Sequence, residues 1–254
     1  MPDDVYRPFD EDVEKGGAYV YTDAARRSAQ YVNRRFSRVT QAALDFRGKR
    51  VVDVGCGDGT YTAELYCASG AASVLGIDPA GKAIERARNT YREEGNTLDF
   101  RQCFARDLVA EHRQFDIAVY RGTIHHVGRP AEEIAMALRL ARTVFLLEAN
   151  GMNPVVKLLE RFSAYHRKHE ERSYPMRTLK RWVRAAGGAV EHASFFGLVP
   201  IFCPAWFVSI GAALEPFVER VPLLRGIVCG QIAMVASRVA GANGISQSGM
   251  EQVQ

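Results

Sequence analysis

The most informative stretch of this 254-residue chain is Val51-Val52-Asp53-Val54-Gly55-Cys56-Gly57-Asp58-Gly59. A short apolar run that leads directly into a glycine-rich turn is typical of a buried parallel strand that ends at a ligand site. Glycines at alternate positions let the backbone bend tightly and approach a ligand that a Cβ atom would block. Thr60 to Ser69 is predicted to be a helix, so the ligand would lie at the carboxyl edge of a sheet, beside a helix N-terminus.

The spacing of these glycines separates two classes of ligand. A dinucleotide site has the pattern Gly-x-Gly-x-x-Gly, which from Gly55 requires a glycine where this chain has Thr60. A carboxylate at Asp58 would also repel a pyrophosphate. A nicotinamide-dependent oxidoreductase is therefore the weakest of the functions that this loop allows.

The pattern Asp53-x-Gly55-x-Gly57-x-Gly59 resembles the first motif of the class I S-adenosylmethionine-dependent methyltransferases. S-adenosylmethionine has no phosphate and carries a sulfonium and an ammonium group, so acids in the loop would favour it. The resemblance implies that this cofactor is bound by Asp53, Gly55, Cys56 and Gly57. It also implies that Asp78, at the end of the second predicted strand, accepts hydrogen bonds from the ribose hydroxyls, and that Pro79 packs against the adenine.

Two further segments carry the resemblance to the cofactor site. Family members often have an acid just past the third strand, but this chain has Cys103-Phe104 there, so we expect backbone groups or Asp107 to recognise the adenine. The fourth predicted strand ends in Tyr120-Arg121-Gly122-Thr123-Ile124-His125-His126-Val127, which is similar to the Leu-His-His-like loop of many members. That similarity places Tyr120 and Arg121 in the cofactor pocket, near the methionine end.

Methyl transfer requires alignment of the nucleophile, the methyl group and the sulfur, and it requires a base only if the nucleophile arrives protonated. His125 and His126 are the candidate catalytic bases, because neutral imidazole is available near pH 7. Either histidine could instead cap the loop or pack under the cofactor. The predicted contacts to the methyl acceptor come from four residues: Tyr21, Glu148, Asn150 and Trp206. Glu148 and Asn150, at the end of the fifth predicted strand, could equally fix the loop there. No spacing in the chain predicts a metal site.

The first predicted helix runs from Thr22, with Thr22 or Asp23 as its cap, to about Phe46, and from Arg50 onward strands and helices alternate. The predicted strands include Arg50–Val54, Leu98–Gln102, Phe115–Tyr120 and Thr143–Leu147, and no helix is predicted between the third and the fourth strand. This order predicts an α/β fold with a doubly wound, mostly parallel sheet of seven strands, and the family resemblance implies that the last strand is antiparallel. We expect a helical lid segment over residues 1–49, a methyltransferase domain over 50–238, and a disordered tail over 239–254. Insertions at about 149–175 and 196–230 are expected to contribute helices to the lid.

The second insertion contains an uncharged run from Phe195 to Leu214, which has the length of a membrane span. A single crossing is excluded, because the strands before and after the insertion must lie in one sheet on one side of the bilayer. Three interpretations of this insertion remain. It could form an apolar pocket or lid, it could form a dimer interface or an extra core layer, or it could contact a membrane interface, where Arg220 and Arg225 would add favourable charge.

Composition places the chain among soluble globular proteins, with 47% hydrophobic and 24% charged residues and a net charge of +4. Five scattered cysteines favour reduced thiols, and the first residues show no secretory signal, so we expect a cytoplasmic protein, with peripheral membrane contact left open. The predicted function is methyl transfer to a small or lipid-like acceptor, preferably to oxygen. The alternatives are a nucleic-acid methyltransferase, suggested by an arginine-rich first helix, and a non-catalytic binding protein with the same fold.

Overall fold

The structure, a computed structural model, describes residues 26–92, 96–163 and 172–239. Three predictions lie outside these residues: the acceptor contact of Tyr21, the start of the first helix at residue 22 or 23, and most of the tail.

The centre of the molecule is a seven-stranded sheet with the order β3-β2-β1-β4-β5-β7-β6. Every neighbouring pair from β3 to β5 is parallel, and β7 runs antiparallel to both β5 and β6. The predicted fold class and the antiparallel last strand are therefore confirmed. The strands are β1 (Arg50–Val54), β2 (Ser73–Asp78), β3 (Leu98–Gln102), β4 (Phe115–Arg121), β5 (Ala141–Ala149), β6 (Gly188–Phe196) and β7 (Gln231–Arg238).

Helices cover both faces of this sheet. They are α1 (Arg27–Ala43), α2 (Thr60–Ser69), α3 (Gly81–Thr90), α4 (Ala105–Ala110), α5 (Pro130–Leu140), α6 (Pro154–Phe162), α7 (Met176–Ala185), α8 (Ala205–Arg220) and α9 (Pro222–Val228). Alternate residues of β1 enter two separate cores, with Val52 in the core under α4, α5 and α7 and Val51 in the core under α1 and α2. This alternation follows from the two-residue period of a strand that is buried on both faces.

The first helix is packed against the rest of the structure, and its expected role as a lid segment stays a prediction. Its carboxyl half packs on the sheet through Phe36, Val39 and Ala43. The helix ends at Ala43, short of the predicted Phe46, because the chain becomes extended at Leu44 and Phe46 is buried in the core. Arg35 joins the same helix to α8 through ion pairs with Glu215 and Glu219.

The two insertions supply the remaining helices. The first contributes α6, whose N-terminus is capped by the Asn153 side chain, which accepts from Val155 N–H and Val156 N–H. The second contributes α8 and α9 between β6 and β7, where a minimal sheet would have a hairpin. Among the described residues, no helix combines the length and the apolar character that crossing a bilayer requires.

Candidate active site

The glycine loop follows β1 and is held against the end of β2. The N–H groups of Gly55 and Cys56 both donate to the carbonyl of Ile77, at 2.8 and 3.1 Å. Gly55, Gly57 and Gly59 have φ values of +76°, +55° and +78°, in the region that favours glycine. The predicted turn between β1 and α2 is therefore present at the carboxyl edge of the sheet.

Packing within the protein accounts for two of these glycines, which differs from the expected approach to a ligand. A Cβ atom on Gly55 would lie 2.5 Å from Oγ1 of Thr123, and one on Gly59 would lie 2.7 Å from the ring of Phe100. The Thr123 hydroxyl also donates to the carbonyl of Val54 at 2.8 Å. Gly55 thus allows the β1 loop and the loop after β4 to meet, and both line the same edge of the sheet.

We predict that Gly55→Ala destabilises the fold more than Gly48→Ala does. Both glycines have positive φ, so each alanine costs about 1–2 kcal/mol from backbone strain. Gly48 has open space around it, whereas Gly55 faces Thr123, which adds about 1–3 kcal/mol of overpacking. Urea unfolding of both variants measures the difference. An equal loss of unfolding free energy in the two variants would show that Thr123 does not set the position of the loop.

Three acids surround the loop, and each accepts hydrogen bonds from nearby groups. Asp53 accepts from the Thr62 hydroxyl at 2.6 Å, and burial raises the pKa of its carboxyl. Asp58 accepts from both the N–H and the hydroxyl of Thr60, at 3.1 and 2.7 Å. Asp78 accepts from the N–H of Gly57 at 2.9 Å and from that of Ala80 at 2.8 Å.

The chemistry of these groups fits S-adenosylmethionine and does not fit a dinucleotide. A pyrophosphate needs the free N–H groups at a helix N-terminus, but the Thr60 N–H at the start of α2 is already bonded to the carboxylate of Asp58. Three carboxylates suit a cofactor that carries two positive charges. Asp78 and Pro79 come directly at the end of β2, where the ribose and adenine contacts are predicted.

The segment after β3 forms the start of α4. The Asp107 carboxylate accepts from the N–H of Phe104 at 2.9 Å and so caps this helix, which gives Asp107 a local role in place of the alternative adenine contact. Cys103 is buried, and its pKa is raised to about 11, chiefly by burial. A neutral thiol is a weak acceptor, so adenine recognition by Cys103 and Phe104 through their backbone groups stays a prediction.

Tyr120 and Arg121 end β4 and point to opposite faces of the sheet. Tyr120 is completely buried, and its hydroxyl donates to Glu133 of α5 at 3.0 Å. The side chain is held in the core, and its predicted contact with the cofactor stays a prediction. The Arg121 guanidinium lies 3.7 Å from the centre of the Tyr61 ring and donates to Ser37 of α1 at 3.1 Å. Burial lowers its pKa, and its side chain fastens α1 to the sheet.

Glu148 and His125 form the central pair of the site. Glu148, at the end of β5, is only 2% exposed, and its Oε1 accepts from the N–H groups of Thr123 and Ile124 at 3.0 and 2.8 Å. Its Oε2 lies 2.7 Å from Nδ1 of His125. A carboxylate at this distance places the imidazole proton on Nδ1, which leaves the lone pair of the neutral ring on Nε2.

This geometry favours His125 over His126 as a base, which the sequence left open. The two rings are tilted by 47° to each other, with their centres 4.0 Å apart. The bonds of the Glu148 carboxylate to the loop and to His125 agree with the alternative that Glu148 fixes the loop, and its contact with an acceptor stays a prediction. The sequence places Glu148 at this edge because it follows directly on the apolar run Val144-Phe145-Leu146-Leu147.

The other predicted acceptor residues do not gather at one point. Asn150 is fully buried, and its amide donates to the carbonyls of Gly226 and Cys229 at 3.0 and 2.8 Å, so it holds α9. These bonds agree with the alternative that Asn150 fixes a loop, and its contact with an acceptor stays a prediction. Trp206 lies on the exposed face of α8. Its contact with an acceptor stays a prediction.

Comparison with known proteins supports the family resemblance. A family model described as a methyltransferase domain matches residues 51–144, which span β1 to β5. The ubiquinone biosynthesis O-methyltransferase of Methylococcus capsulatus is 29% identical over 213 residues, which cover 75% of this chain and 86% of that protein. The protein of the same name from Aromatoleum aromaticum is 31% identical over 166 residues, or 59% of this chain and 68% of that protein.

Solved structures show how widely the fold is shared. Magnesium protoporphyrin IX methyltransferase from Synechocystis, with bound S-adenosylmethionine, superposes with a TM-score of 0.64 at 14% identity, covering 94% of this chain and 98% of that one. The [4+2]-cyclase SpnF superposes with a TM-score of 0.66 at 19% identity, covering 94% of each chain. The fold alone therefore does not fix the reaction.

The sequence relatives, the matched domain and the acid-rich glycine loop agree with one another. They confirm the resemblance found in the sequence, and with it S-adenosylmethionine as the cofactor. The chain belongs to the class I S-adenosylmethionine-dependent methyltransferases.

Proposed function

We propose that this enzyme methylates a hydroxyl oxygen of a small, hydrophobic organic acceptor, with His125 as the general base. The observation that carries the proposal is the hydrogen bond between Glu148 and Nδ1 of His125. A base is useful only for an acceptor that arrives protonated. A neutral amine can attack the methyl group with its own lone pair and needs no base. A histidine that is oriented by Glu148 therefore favours a hydroxyl group as the methyl acceptor.

Different residues of the site bind the cofactor and accept the proton. Bound S-adenosylmethionine supplies a methyl group activated by positive sulfur. Asp78 and the glycine loop would hold it at the carboxyl edge of β1 and β2. His125 takes the acceptor hydroxyl proton on Nε2, and Glu148 stabilises the imidazolium that results. Glu148 also fixes the loop through Thr123 and Ile124, so base and cofactor loop keep one relative position.

The acceptor class is supported by the relatives and by the apolar insertions. Both relatives described above are O-methyltransferases of ubiquinone biosynthesis, which points to a quinone-like or other hydrophobic hydroxyl compound as acceptor for this chain as well. The second insertion carries exposed aromatic side chains, including Trp206. Nucleic acid is disfavoured, because two arginines of the first helix already make contacts within the protein: Arg35 pairs with α8 and Arg27 donates to Ser209.

We predict that Asp78→Ala weakens the binding of S-adenosylmethionine by about tenfold or more, because hydrogen bonds to a charged carboxylate are among the stronger ones. Isothermal titration of the purified chain with S-adenosylmethionine, and separately with NAD, measures this. Asp99→Ala, which removes an exposed acid on β3, is the matched control and should bind normally. Unchanged affinity in Asp78→Ala, or binding of NAD in preference, would contradict the assignment.

A further inference from the structure

The exposed large apolar side chains of the described residues are concentrated in the two insertions. All of them except Val239 lie between Met152 and Ile227. Single exposed apolar residues are ordinary on protein surfaces, but a group on neighbouring elements marks an interaction surface.

The longest of these elements, α8, is apolar on both of its faces. The buried face carries Val208, Gly211, Glu215 and Val218. The opposite face exposes Trp206, Ile210, Leu214 and Phe217, which are spaced as one stripe of a helix. Packing within the protein therefore uses only half of the apolar surface of α8.

The two other helices of the insertions extend this pattern. None of the residues of α6 is buried, and the helix exposes Val155, Leu158, Leu159 and Phe162. Helix α9 exposes Leu223 and Ile227. The helices are joined, because Asn153 at the start of α6 donates to the carbonyl of Val228 at 2.6 Å, and α8 leads into α9 at Val221. We call the exposed apolar side chains of α6, α8 and α9 the apolar face.

Bases outnumber acids beside the apolar face. In the described parts of the insertions, each acid is bound within the protein. Glu160 pairs with Lys157 at 2.9 Å and accepts from the N–H of Ser173, and Glu215 and Glu219 pair with Arg35. The bases in the same helices include Arg161 and Arg220, which are both exposed. The surface around the apolar face is therefore positive.

We propose that the apolar face is a docking surface for an anionic lipid bilayer. Exposed apolar helices flanked by bases suit the interface of a membrane whose headgroups are negative. A second copy fits less well, because a two-fold interface places the same patch on both sides and would bring bases against bases without acids to neutralise them. Lipid binding needs neither cofactor nor acceptor, so this surface can be tested apart from the proposed reaction.

Co-sedimentation of the full chain with vesicles tests the proposal. We expect binding to phosphatidylcholine vesicles that contain phosphatidylglycerol to exceed binding to pure phosphatidylcholine by about tenfold or more. The double variant Trp206→Ser/Phe217→Ser changes side chains that are 66% and 64% exposed and should lose about tenfold in binding without unfolding. Val239→Ser is the control for an exposed apolar residue outside the face. Arg220→Glu should weaken binding, with Arg142→Glu at the start of β5 as its control.

Two results would overturn the proposal. One is equal vesicle binding by the double variant and by Val239→Ser. The other is a wild-type dimer in sedimentation velocity that becomes a monomer in the double variant while neither protein binds vesicles, which would assign the face to a second copy of the chain.

Discussion

His125→Ala is expected to lower kcat by about 10²–10⁴-fold while the affinity for S-adenosylmethionine stays unchanged. The loss follows from the role of the imidazole, which accepts the hydroxyl proton and holds no part of the glycine loop. Glu148→Gln is expected to reduce kcat in a similar way, because the amide would donate to Nδ1 and move the ring proton to Nε2, where the base must be free.

Turnover is measured with catechols and hydroquinones that carry alkyl tails, and cofactor affinity is measured by titration. His192→Ala on β6 removes an exposed histidine and serves as the control. His126→Ala should cost less than His125→Ala, since the bond to Glu148 belongs to His125. If His126→Ala abolished turnover and His125→Ala did not, the base would be the other ring of the pair.

Arg35→Ala is expected to lower the free energy of unfolding by about 3–5 kcal/mol, because it leaves the buried charge of Glu215 without its cation. The Arg35 guanidinium lies 2.8 Å from Glu215 and 2.7 Å from Glu219, so it holds α1 against α8. Tyr31 cannot replace it. Burial and the nearby Glu215 raise the pKa of Tyr31 to about 12, so its hydroxyl remains a neutral donor.

Urea unfolding measures this loss, and the neighbouring exposed Arg34→Ala is the matched control, for which a change within about 0.5 kcal/mol is expected. Equal stability of the two variants would show that the ion pairs between α1 and α8 contribute no net stability.

The strands of the central sheet were predictable because each one is defined by residues that are adjacent in the sequence. β1, α2 and β3 have the predicted bounds, since an apolar run, a glycine turn and a polar loop each mark a boundary. α4 was missed because its six residues are too few to show a helical period. β5 is longer at both ends than Thr143–Leu147, because pairing with β7 extends it to Ala149.

The candidate site was predictable where it depends on neighbours in sequence and not where it depends on strand register. The acids of the glycine loop follow from one motif. The pair of Glu148 and His125 joins the ends of β4 and β5, so only the pairing of those strands brings it together. The burial of Tyr120 could have been predicted from the sequence, because the two-residue period of β4 puts Tyr120 and Arg121 on opposite faces of the sheet.

Mass spectrometry of the product shows directly whether the methyl group is transferred to a hydroxyl oxygen. The purified enzyme is incubated with S-adenosylmethionine that carries a deuterated methyl group and with an alkyl-tailed catechol. A labelled methyl ether is expected, and His125→Ala should form it about 10²–10⁴-fold more slowly from the same acceptor. Label on a ring carbon, or on the nitrogen of a matched amine in preference to the hydroxyl, would contradict transfer to oxygen.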